Sequence, residues 1–490
     1  MLKTLFFLLL LLNILCTRVS STITCYNISI SGQPLHKVGE KFLSVTLDSS
    51  KLVKKFQSHD FQSKKFIALS SGLNSMQTEP SIFLRFGGSE ADNLVFNDTM
   101  GSSSSNQMKD DYNMHPFNFT LFKELYNFAE MNKWRLIFDL NSLLRYNNGS
   151  WDSRNAVKLI KTILKHGYSI DYELGNEPDL FPTHRNTTIP PQQLAKDFKT
   201  LKNILFELTG GDSKLYGPDI ATLTRYNYFE KFLSSVEDGV LDYITFHHYY
   251  SSSTNITTKN FTSVEYLDSF ISYLQKAFSI IDRSIKFTHP PIIIGETSST
   301  YGGGSPQVGQ SYAASFLWLD KLGLAAQMNI ESVMRQSLKG GYYSLIDKHY
   351  DPCVDYWVSV LYKRIVGTQV LKVSGFLEFN RTVRAYAHCV KPGYSYSYVA
   401  ENTAVVFVLN VNENAVRINF DNTRPIDMFI FTPATDGKLD SLHVKLNGNI
   451  LLMSDDGSLP ELKPVKMTQP ALLPAMSYAF YVVESDMVKC

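Results

Sequence analysis

Two glutamates stand where short apolar stretches of the sequence end. Glu177 closes the stretch that begins at Tyr172, and Glu296 follows the run Pro291–Gly295. Two carboxylates that face each other are the groups that cleave a glycosidic bond: one donates a proton to the leaving oxygen, and the other attacks the anomeric carbon. At a separation of about 5 Å the reaction retains the anomeric configuration through a covalent intermediate. We also expect Asn176, next to Glu177, to bind the 2-hydroxyl of the sugar.

Eight strands must bring these residues together. Short apolar runs alternate with amphipathic helical patterns, which is typical of a closed parallel (β/α)8 barrel of the TIM type. A doubly wound open sheet is the alternative, but no GxGxxG follows a strand. The predicted strands are Phe42–Asp48, Ile82–Arg85, Arg135–Asn141, Asp171–Glu177, Leu215–Pro218, Tyr243–His247, Pro291–Glu296 and Ser332–Gln336. The clearest predicted helices are Ser153–Lys165, Gln192–Leu208, Val264–Asp282 and Ser311–Leu322.

The sequence pattern changes after Gly367. Strand-like runs such as Ala404–Val411 and Tyr478–Val483 are separated by turn signals such as Asn447-Gly448 and Asp456-Gly457. We therefore predict a C-terminal all-β sandwich, in a chain whose fold class is α/β.

The N-terminus has the pattern of a secretory signal peptide. Lys3 precedes the apolar run Leu5–Leu15, and small residues follow up to Ser21. The run is too short to span a membrane, and no later stretch is long and apolar enough. We expect removal of residues 1–21 and a secreted or lysosomal protein. Eight Asn-x-Ser/Thr sequons predict glycosylation at Asn27, Asn97, Asn118, Asn148, Asn186, Asn255, Asn260 and Asn380.

Charge and cysteine usage exclude several classes of ligand. The net charge is only +1, so nothing predicts binding to nucleic acid. Four cysteines remain after the signal peptide: Cys25, Cys353, Cys389 and Cys490. They form no CxxC or Cys/His cluster, so we expect no metal and no cofactor. One or two disulfides fit an oxidising compartment, with three connectivities open.

Five motifs together resemble the heparanases of glycoside hydrolase family 79: "ELGNEPD", "HHYY", "GETSSTYGGG", "WLDKLGL" and "VMRQ". They occur in the family's order and spacing, and the resemblance runs from Pro34 to Cys490. It implies a barrel over residues 41–366 and a sandwich over residues 367–490 that takes its first strand from residues 22–40. It further implies a retaining endo-β-glucuronidase whose substrate is a glycosaminoglycan.

The resemblance also assigns roles to single residues. Glu177 would be the acid/base and Glu296 the nucleophile, and Cys389 would pair with Cys490. Cys25–Cys353 is then a second bridge outside the family pattern, because Met131 stands where the family's other bridge needs a cysteine. The glycan site would be lined by Asn176, Asp48, His247, Tyr249, Tyr301, Gly302, Gly303, Gln336, Gly341 and Tyr343.

Four residues near the site have two interpretations each. His247 and His248 could bind a metal, but adjacent residues on a strand point to opposite faces, so we expect one to line the site and the other to pack. Arg85 is either a carboxylate partner in the site or part of a core ion pair. Tyr249 either donates to Glu296 or packs.

This chain departs from heparanases in two ways. The family's Lys/Arg clusters for sulfate are missing, and "DLFPTH" after Glu177 has no lysine, so we expect weaker heparan sulfate binding. Hyaluronan is the alternative substrate, and a non-catalytic glycan-binding homologue is the alternative function. The segment that must be excised in heparanases is also reduced here to the polar loop Asn97–Asn118. We predict a monomer that is active as one uncut chain.

Overall fold

The computed structural model describes residues 23–50, 59–74, 80–98, 114–374, 381–393, 402–421 and 424–490. The predicted signal peptide, most of the loop Asn97–Asn118 and the sequon at Asn380 lie outside these ranges. Of the other sequons, Asn148, Asn186 and Asn255 are exposed. None of the helices in the described ranges combines the length and the apolarity that a membrane crossing requires.

Strands and helices alternate up to residue 365, and every element in the described residues after it is a strand. The strands are β1 (Cys25–Lys37), β2 (Leu43–Asp48), β3 (Phe83–Gly87), β4 (Leu94–Phe96), β5 (His115–Phe117), β6 (Arg135–Leu140), β7 (Asp171–Leu174), β8 (Tyr216–Ile220), β9 (Tyr243–His248), β10 (Ser251–Ser252), β11 (Ile292–Thr297), β12 (Thr300–Tyr301), β13 (Ser332–Arg335), β14 (Val366–Ser374), β15 (Val383–Val390), β16 (Thr403–Asn410), β17 (Val416–Phe420), β18 (Ile426–Pro433), β19 (Val444–Leu446), β20 (Asn449–Ile450), β21 (Val465–Met467), β22 (Ala471–Leu473) and β23 (Ser477–Glu484). The helices are α1 (His59–Gln62), α2 (Lys64–Gly72), α3 (Phe119–Met131), α4 (Arg154–Lys165), α5 (Phe181–His184), α6 (Pro191–Thr209), α7 (Tyr228–Leu233), α8 (Thr258–Phe261), α9 (Val264–Ser284), α10 (Ala314–Gln327) and α11 (Val354–Ile365).

Eight parallel strands form the predicted barrel. Their order is β7-β6-β3-β2-β13-β11-β9-β8, and a bridge between Tyr172 and Leu215 joins the two outermost strands. All eight predicted strands are present, with ends that differ by a few residues. The fold class predicted from the sequence is therefore confirmed.

The interior of the barrel has an apolar lower layer and a charged upper layer. Phe83, Ile137 and Ile293 form part of the lower cluster. Two residues further along the same strands, the inward positions are Arg85 and Asp139, because side chains on one face of a strand recur every second residue. The charged layer therefore lies toward the carboxyl ends of the strands, where barrel enzymes place their sites.

The C-terminal sheets form a sandwich that packs against the barrel. β1 pairs antiparallel with β14 and parallel with β17, so the N-terminal strand links the two sheets as the resemblance implied. β16 is buried on both faces: Phe407 packs toward the barrel helices, whereas Val406 and Val408 face the core of the sandwich. Because successive side chains of a strand point to opposite faces, β16 packs against both the barrel and the core of the sandwich.

The cysteines follow the prediction only in part. Cys389 and Cys490 form the disulfide that the resemblance implied, and it ties the chain end to β15. The predicted Cys25–Cys353 bridge is wrong, because Cys353 is a buried free thiol. Cys353 precedes α11 in the barrel, whereas Cys25 lies in β1 and hydrogen-bonds within the sandwich. Spacing along the chain could not show that the two residues belong to different layers.

The helix α10 was the least well predicted of the four. It begins at Ala314 rather than Ser311 and continues to Gln327 rather than Leu322. Nearly all of its residues are buried, because it lies between the barrel strands and the sandwich. A helix that is buried on all sides has no solvent-facing polar stripe from which its ends can be predicted.

We predict that Gly323→Ala destabilises the protein. Gly323 lies inside α10, where a Cβ atom would come 2.2 Å from the ring of Tyr386 on β15. Gly→Ala in a helix interior normally stabilises by about 0.5–1 kcal/mol, but the overpacking here should lower the free energy of unfolding by about 1–3 kcal/mol. Urea denaturation measures the change. A variant as stable as the wild type would mean that α10 and β15 do not approach each other so closely.

Candidate active site

Glu177 sits on a left-handed turn directly after β7. The predicted strand ran to Glu177, but it ends at Leu174 because Gly175 and Glu177 both have positive φ, 81° and 52°. A left-handed conformation costs a residue other than glycine roughly 1–2 kcal/mol, so surrounding contacts must hold it. The backbone N–H of Glu177 donates to the carbonyl of Asp219 (2.9 Å), and that of Asn176 donates to Asp92 Oδ2 (2.9 Å). The turn aims the Glu177 carboxyl across the mouth of the barrel.

Glu296 lies on β11, whose residues are all buried. Both of its carboxylate oxygens accept hydrogen bonds. The Tyr249 hydroxyl donates to Oε1 (2.7 Å), and Arg85 Nη1 donates to Oε2 (3.0 Å). The structure therefore supports the interpretation of Tyr249 as a donor to Glu296.

The two glutamates are close enough for a retaining mechanism. One carboxylate oxygen of Glu177, one of Glu296 and a ring nitrogen of His247 all lie within 4.8 Å of one another. Retaining glycosidases hold their carboxyl groups about 5 Å apart. A Glu/His/Glu triplet can also bind a metal, but here His247 Nδ1 already bonds Glu177 Oε1 (3.0 Å). We therefore interpret the cluster as a pair of facing carboxylates with an imidazole that positions Glu177.

Arg85 connects β3 to β11 and to the turn after β7. It is fully buried, and its Nε donates to Glu173 Oε2 (2.7 Å). Its Nη1 reaches Glu296, and its Nη2 donates to Asn176 Oδ1 (3.0 Å). Both interpretations of Arg85 are therefore correct, because one guanidinium makes the core ion pair and the contact in the site.

Three buried acids beneath the site were missed by the sequence analysis. Besides Glu173, the carboxylates of Asp139 and Asp219 lie 3.9 and 3.7 Å from Arg85 Nη2. Burial raises the pKa of Asp139 and of Glu173 well above the ordinary range. Burial acts in the same direction on Asp219, but Arg85 and His247 outweigh it and hold its pKa below the usual value. Asp139 and Glu173 lie inside predicted strands and Asp219 directly follows one, but the sequence pattern alone did not show that these acids face Arg85.

The two histidines of "HHYY" behave as predicted. His247 is fully buried between Glu177 (Nδ1, 3.0 Å) and Asp219 (Nε2, 3.3 Å). Burial would lower its pKa, but the carboxylates of Glu296, Asp219 and Glu177 raise it to about 10. His248 points the other way, against Tyr250 and other rings, and burial lowers its pKa well below the usual value. Glu177 therefore faces an imidazolium at neutral pH.

The protonation of Glu296 is set by opposing effects. Burial, together with the nearby Glu177 carboxylate, raises its pKa above the ordinary value, and the positive charges of His247 and Arg85 and the hydrogen bond from Tyr249 offset only part of that rise. Each of these three partners favours the carboxylate that can attack a carbon centre.

The predicted glycan-lining residues from the neighbouring strands meet at the same mouth. Gln336 Nε2 donates to Asp48 Oδ2 (3.3 Å), and Thr46 donates to the Gln336 side-chain oxygen. The ring of Tyr249 lies 6.5 Å from that of Tyr301 and 6.3 Å from that of Tyr343.

Three glycines complete this lining. Gly302, Gly303 and Gly341 have φ of 81°, 87° and 75°, a region that favours glycine. The two loops that carry them are joined, because the N–H of Tyr342 donates to the carbonyl of Gly303 (2.6 Å). A Cβ on Gly341 would come 2.7 Å from the ring of Tyr343. At Gly341, both the positive φ and the close ring of Tyr343 therefore exclude a side chain.

Comparison with known proteins assigns the chain to a family. The model for glycosyl hydrolase family 79, N-terminal domain, matches residues 31–323. Heparanase from Gallus gallus is 33% identical over 501 residues, which cover 92% of this chain and 94% of that protein.

The chain belongs to glycosyl hydrolase family 79.

Two further relatives fit this assignment. Hyaluronoglucuronidase from Hirudo nipponia is 33% identical over 386 residues, 75% of this chain and 76% of the relative. The crystal structure of a 4-O-α-L-rhamnosyl-β-D-glucuronidase from Fusarium oxysporum 12S superposes with a TM-score of 0.67 at 13% identity, over 93% of this chain and all of that one. The latter likeness concerns the fold alone. As a heparanase-type member of family 79, the protein is a glycoside hydrolase.

We predict that Tyr249→Phe moves the acidic limb of the pH profile to higher pH. The lost hydrogen bond had lowered the pKa of Glu296, so in the variant that pKa rises and Glu296 ionises only at higher pH. We expect kcat/KM to fall roughly 10- to 100-fold, the usual value of a hydrogen bond to a charged group.

The pH dependence of kcat/KM on an aryl β-glucuronide measures this shift. Tyr250→Phe is the matched control, since Tyr250 stacks on Tyr266 and does not contact Glu296. An acidic limb that stays in place in Tyr249→Phe would show that the hydroxyl does not act on the nucleophile.

Proposed function

We propose that this family 79 enzyme is a retaining endo-β-glucuronidase that cleaves glucuronate linkages within glycosaminoglycans. Glu177 is the acid/base and Glu296 the nucleophile. The proposal rests mainly on the short distance between these carboxylates and on their different surroundings. The relatives named heparanase and hyaluronoglucuronidase support the substrate class.

The first step forms a glycosyl-enzyme. Glu296 attacks the anomeric carbon while the glycosidic bond breaks and Glu177 gives its proton to the leaving oxygen. The His247 imidazolium hydrogen-bonds Glu177 and stabilises the carboxylate that this proton transfer creates. Arg85 orients Asn176 by donating to its Oδ1, and Asn176 binds the 2-hydroxyl of the sugar.

The second step releases the sugar with its configuration retained. Glu177, now ionised, takes a proton from water, and the resulting hydroxide attacks the anomeric carbon as the bond to Glu296 breaks. The N–H groups of Gly302 and Gly303 bind the uronate carboxylate, because glycine lets the ligand approach the backbone.

Heparan sulfate is the proposed substrate, and hyaluronan is the alternative. The overall likeness to heparanase favours the first, whereas the missing Lys/Arg clusters favour the second. Product sizing after digestion of each purified polysaccharide decides between them. Oligosaccharides that appear from heparan sulfate alone support the proposal. Products from hyaluronan alone would mean that hyaluronan, not heparan sulfate, is the substrate. Release of single sugars from chain ends would rule out an endo-acting enzyme.

We predict that two glutamate variants differ in whether their loss of activity depends on the substrate. Glu296→Gln should abolish turnover of every substrate, because the nucleophile is lost. Glu177→Gln should lose activity on polysaccharide but keep kcat/KM on an activated aryl glucuronide, whose leaving group needs no proton. Steady-state kinetics on both substrate types provide the measurement. Wild-type activity on polysaccharide in either variant would refute the assignment of roles.

We also propose a secreted or lysosomal monomer that needs no proteolytic activation. The loop Asn97–Asn118 is too short and too polar to build a plug over the cleft. Secreted protein should therefore run as one chain on a reducing gel, with equal activity before and after treatment with a cathepsin-type protease. Activity that appears only after cleavage would contradict this prediction.

A further inference from the structure

A groove leads away from the catalytic acid. Its volume is about 220 Å³, and it is lined by Asn176 and Glu177 of the site, by Ser89 and Glu90 after β3, and by Phe181 and Arg185 at α5. It is therefore continuous with the proposed catalytic centre, on the side of the leaving oxygen that Glu177 protonates.

The groove and the glycine loops lie on opposite sides of the barrel mouth. The groove is formed after β3 and β7, whereas Gly302, Gly303 and Gly341 follow β11 and β13. In the order of strands these pairs are separated by β2 on one side and by β8 and β9 on the other. If the glycine loops hold the glucuronate, the groove accommodates the leaving-group side of the glycan.

Arg185 is held in place at the wall of this groove. Its Nη1 donates to Asn93 Oδ1 (3.1 Å), and its Nη2 donates to the carbonyl of Ser89. Asn93 is buried, and its amide nitrogen donates to Glu90 Oε2 (2.7 Å). The side-chain amide of Asn93 therefore accepts from Arg185 and donates to Glu90.

The charge of Arg185 is not neutralised by an ion pair. In the described parts of the chain no carboxylate lies within 4.0 Å of its guanidinium, whereas Arg85, Arg145 and Arg335 each have such a partner. A positioned guanidinium offers several donors in a fixed plane, which suits the oxygens of a carboxylate or sulfate. The segment directly after Glu177 has no lysine, but it does contain this arginine, which was not singled out from the sequence.

We propose that the groove is a subsite for an anionic substituent on the leaving-group side of the glycan, bound by Arg185. The ligand group is a carboxylate or a sulfate ester. This inference rests on the proposed function for the identity of the polymer, and it makes Arg185 a residue that determines specificity.

Equilibrium binding tests the inference without requiring turnover. Three probes are titrated calorimetrically at about 0.15 M ionic strength against protein that carries Glu296→Gln: sulfated heparan, unsulfated heparosan and hyaluronan oligosaccharides. Arg185→Gln is added to this background, with Arg185→Lys as the conservative variant. Arg283→Gln is the matched control, because Arg283 lies in the last turn of α9, the helix that leads to the start of β11 and hence to the opposite end of the barrel.

We expect Arg185→Gln to weaken binding about tenfold, the usual loss for one hydrogen-bonded ionic contact. Arg185→Lys should recover part of the affinity, because lysine keeps the charge but not the planar fork. Arg283→Gln should change nothing. A loss confined to the sulfated probe identifies a sulfate ester, and an equal loss on all three identifies a carboxylate.

Dissociation constants within twofold of the parent for all three probes, or an equal loss in Arg283→Gln, would overturn the inference. Absence of binding to any probe would overturn it as well. The proposed function fails separately, if wild-type protein does not cleave the polysaccharides, and binding that depends on Arg185 would survive that result.

Discussion

The guanidinium of Arg85 holds the mouth of the barrel together. It is buried and reaches Glu173, Glu296 and Asn176 at 2.7–3.0 Å, so one side chain from β3 fixes groups on β7 and β11. The carboxylates around it would repel one another if they were left alone in a medium of low dielectric constant. Removal of one partner from such a buried network typically costs about 3–5 kcal/mol, because the remaining charge is uncompensated. The geometry of the site therefore depends on this cation.

The same network gives the two proposed catalytic carboxylates different surroundings. Glu296 is held on a buried strand and accepts hydrogen bonds from Tyr249 and Arg85, which favour its ionised form. Glu177 stands on a left-handed turn and has the His247 imidazolium as its partner. Asp219 supports both sides, because it lies near Arg85 and near His247. The strand framework sets the distance between the carboxylates, and the buried cations supply the hydrogen bonds that each of them accepts.

Much of this could be predicted from the sequence because the relevant patterns are local. The barrel strands are short apolar runs, and Glu177, Glu296 and Tyr249 stand at their ends. The remainder depends on contacts between distant segments. The left-handed turn at Glu177 ends β7 earlier than predicted, and Cys353 is unpaired. The ends of α10 could not be predicted because the helix is buried on nearly all sides. Asp139 and Asp219 were overlooked because an inward-facing acid is recognisable only once the cation it faces is known.

Trapping the glycosyl-enzyme tests the central claim, that Glu296 attacks the sugar while Glu177 serves as acid and base. A 2-deoxy-2-fluoro-β-glucuronyl fluoride reacts as an activated donor and slows hydrolysis of the intermediate, because fluorine destabilises the positively charged transition state. Peptide mass spectrometry should then find one added fluoroglucuronyl group on the peptide that contains Glu296, in wild type and in Glu177→Gln. An adduct on Glu177, or inactivation without any covalent adduct, would contradict the account.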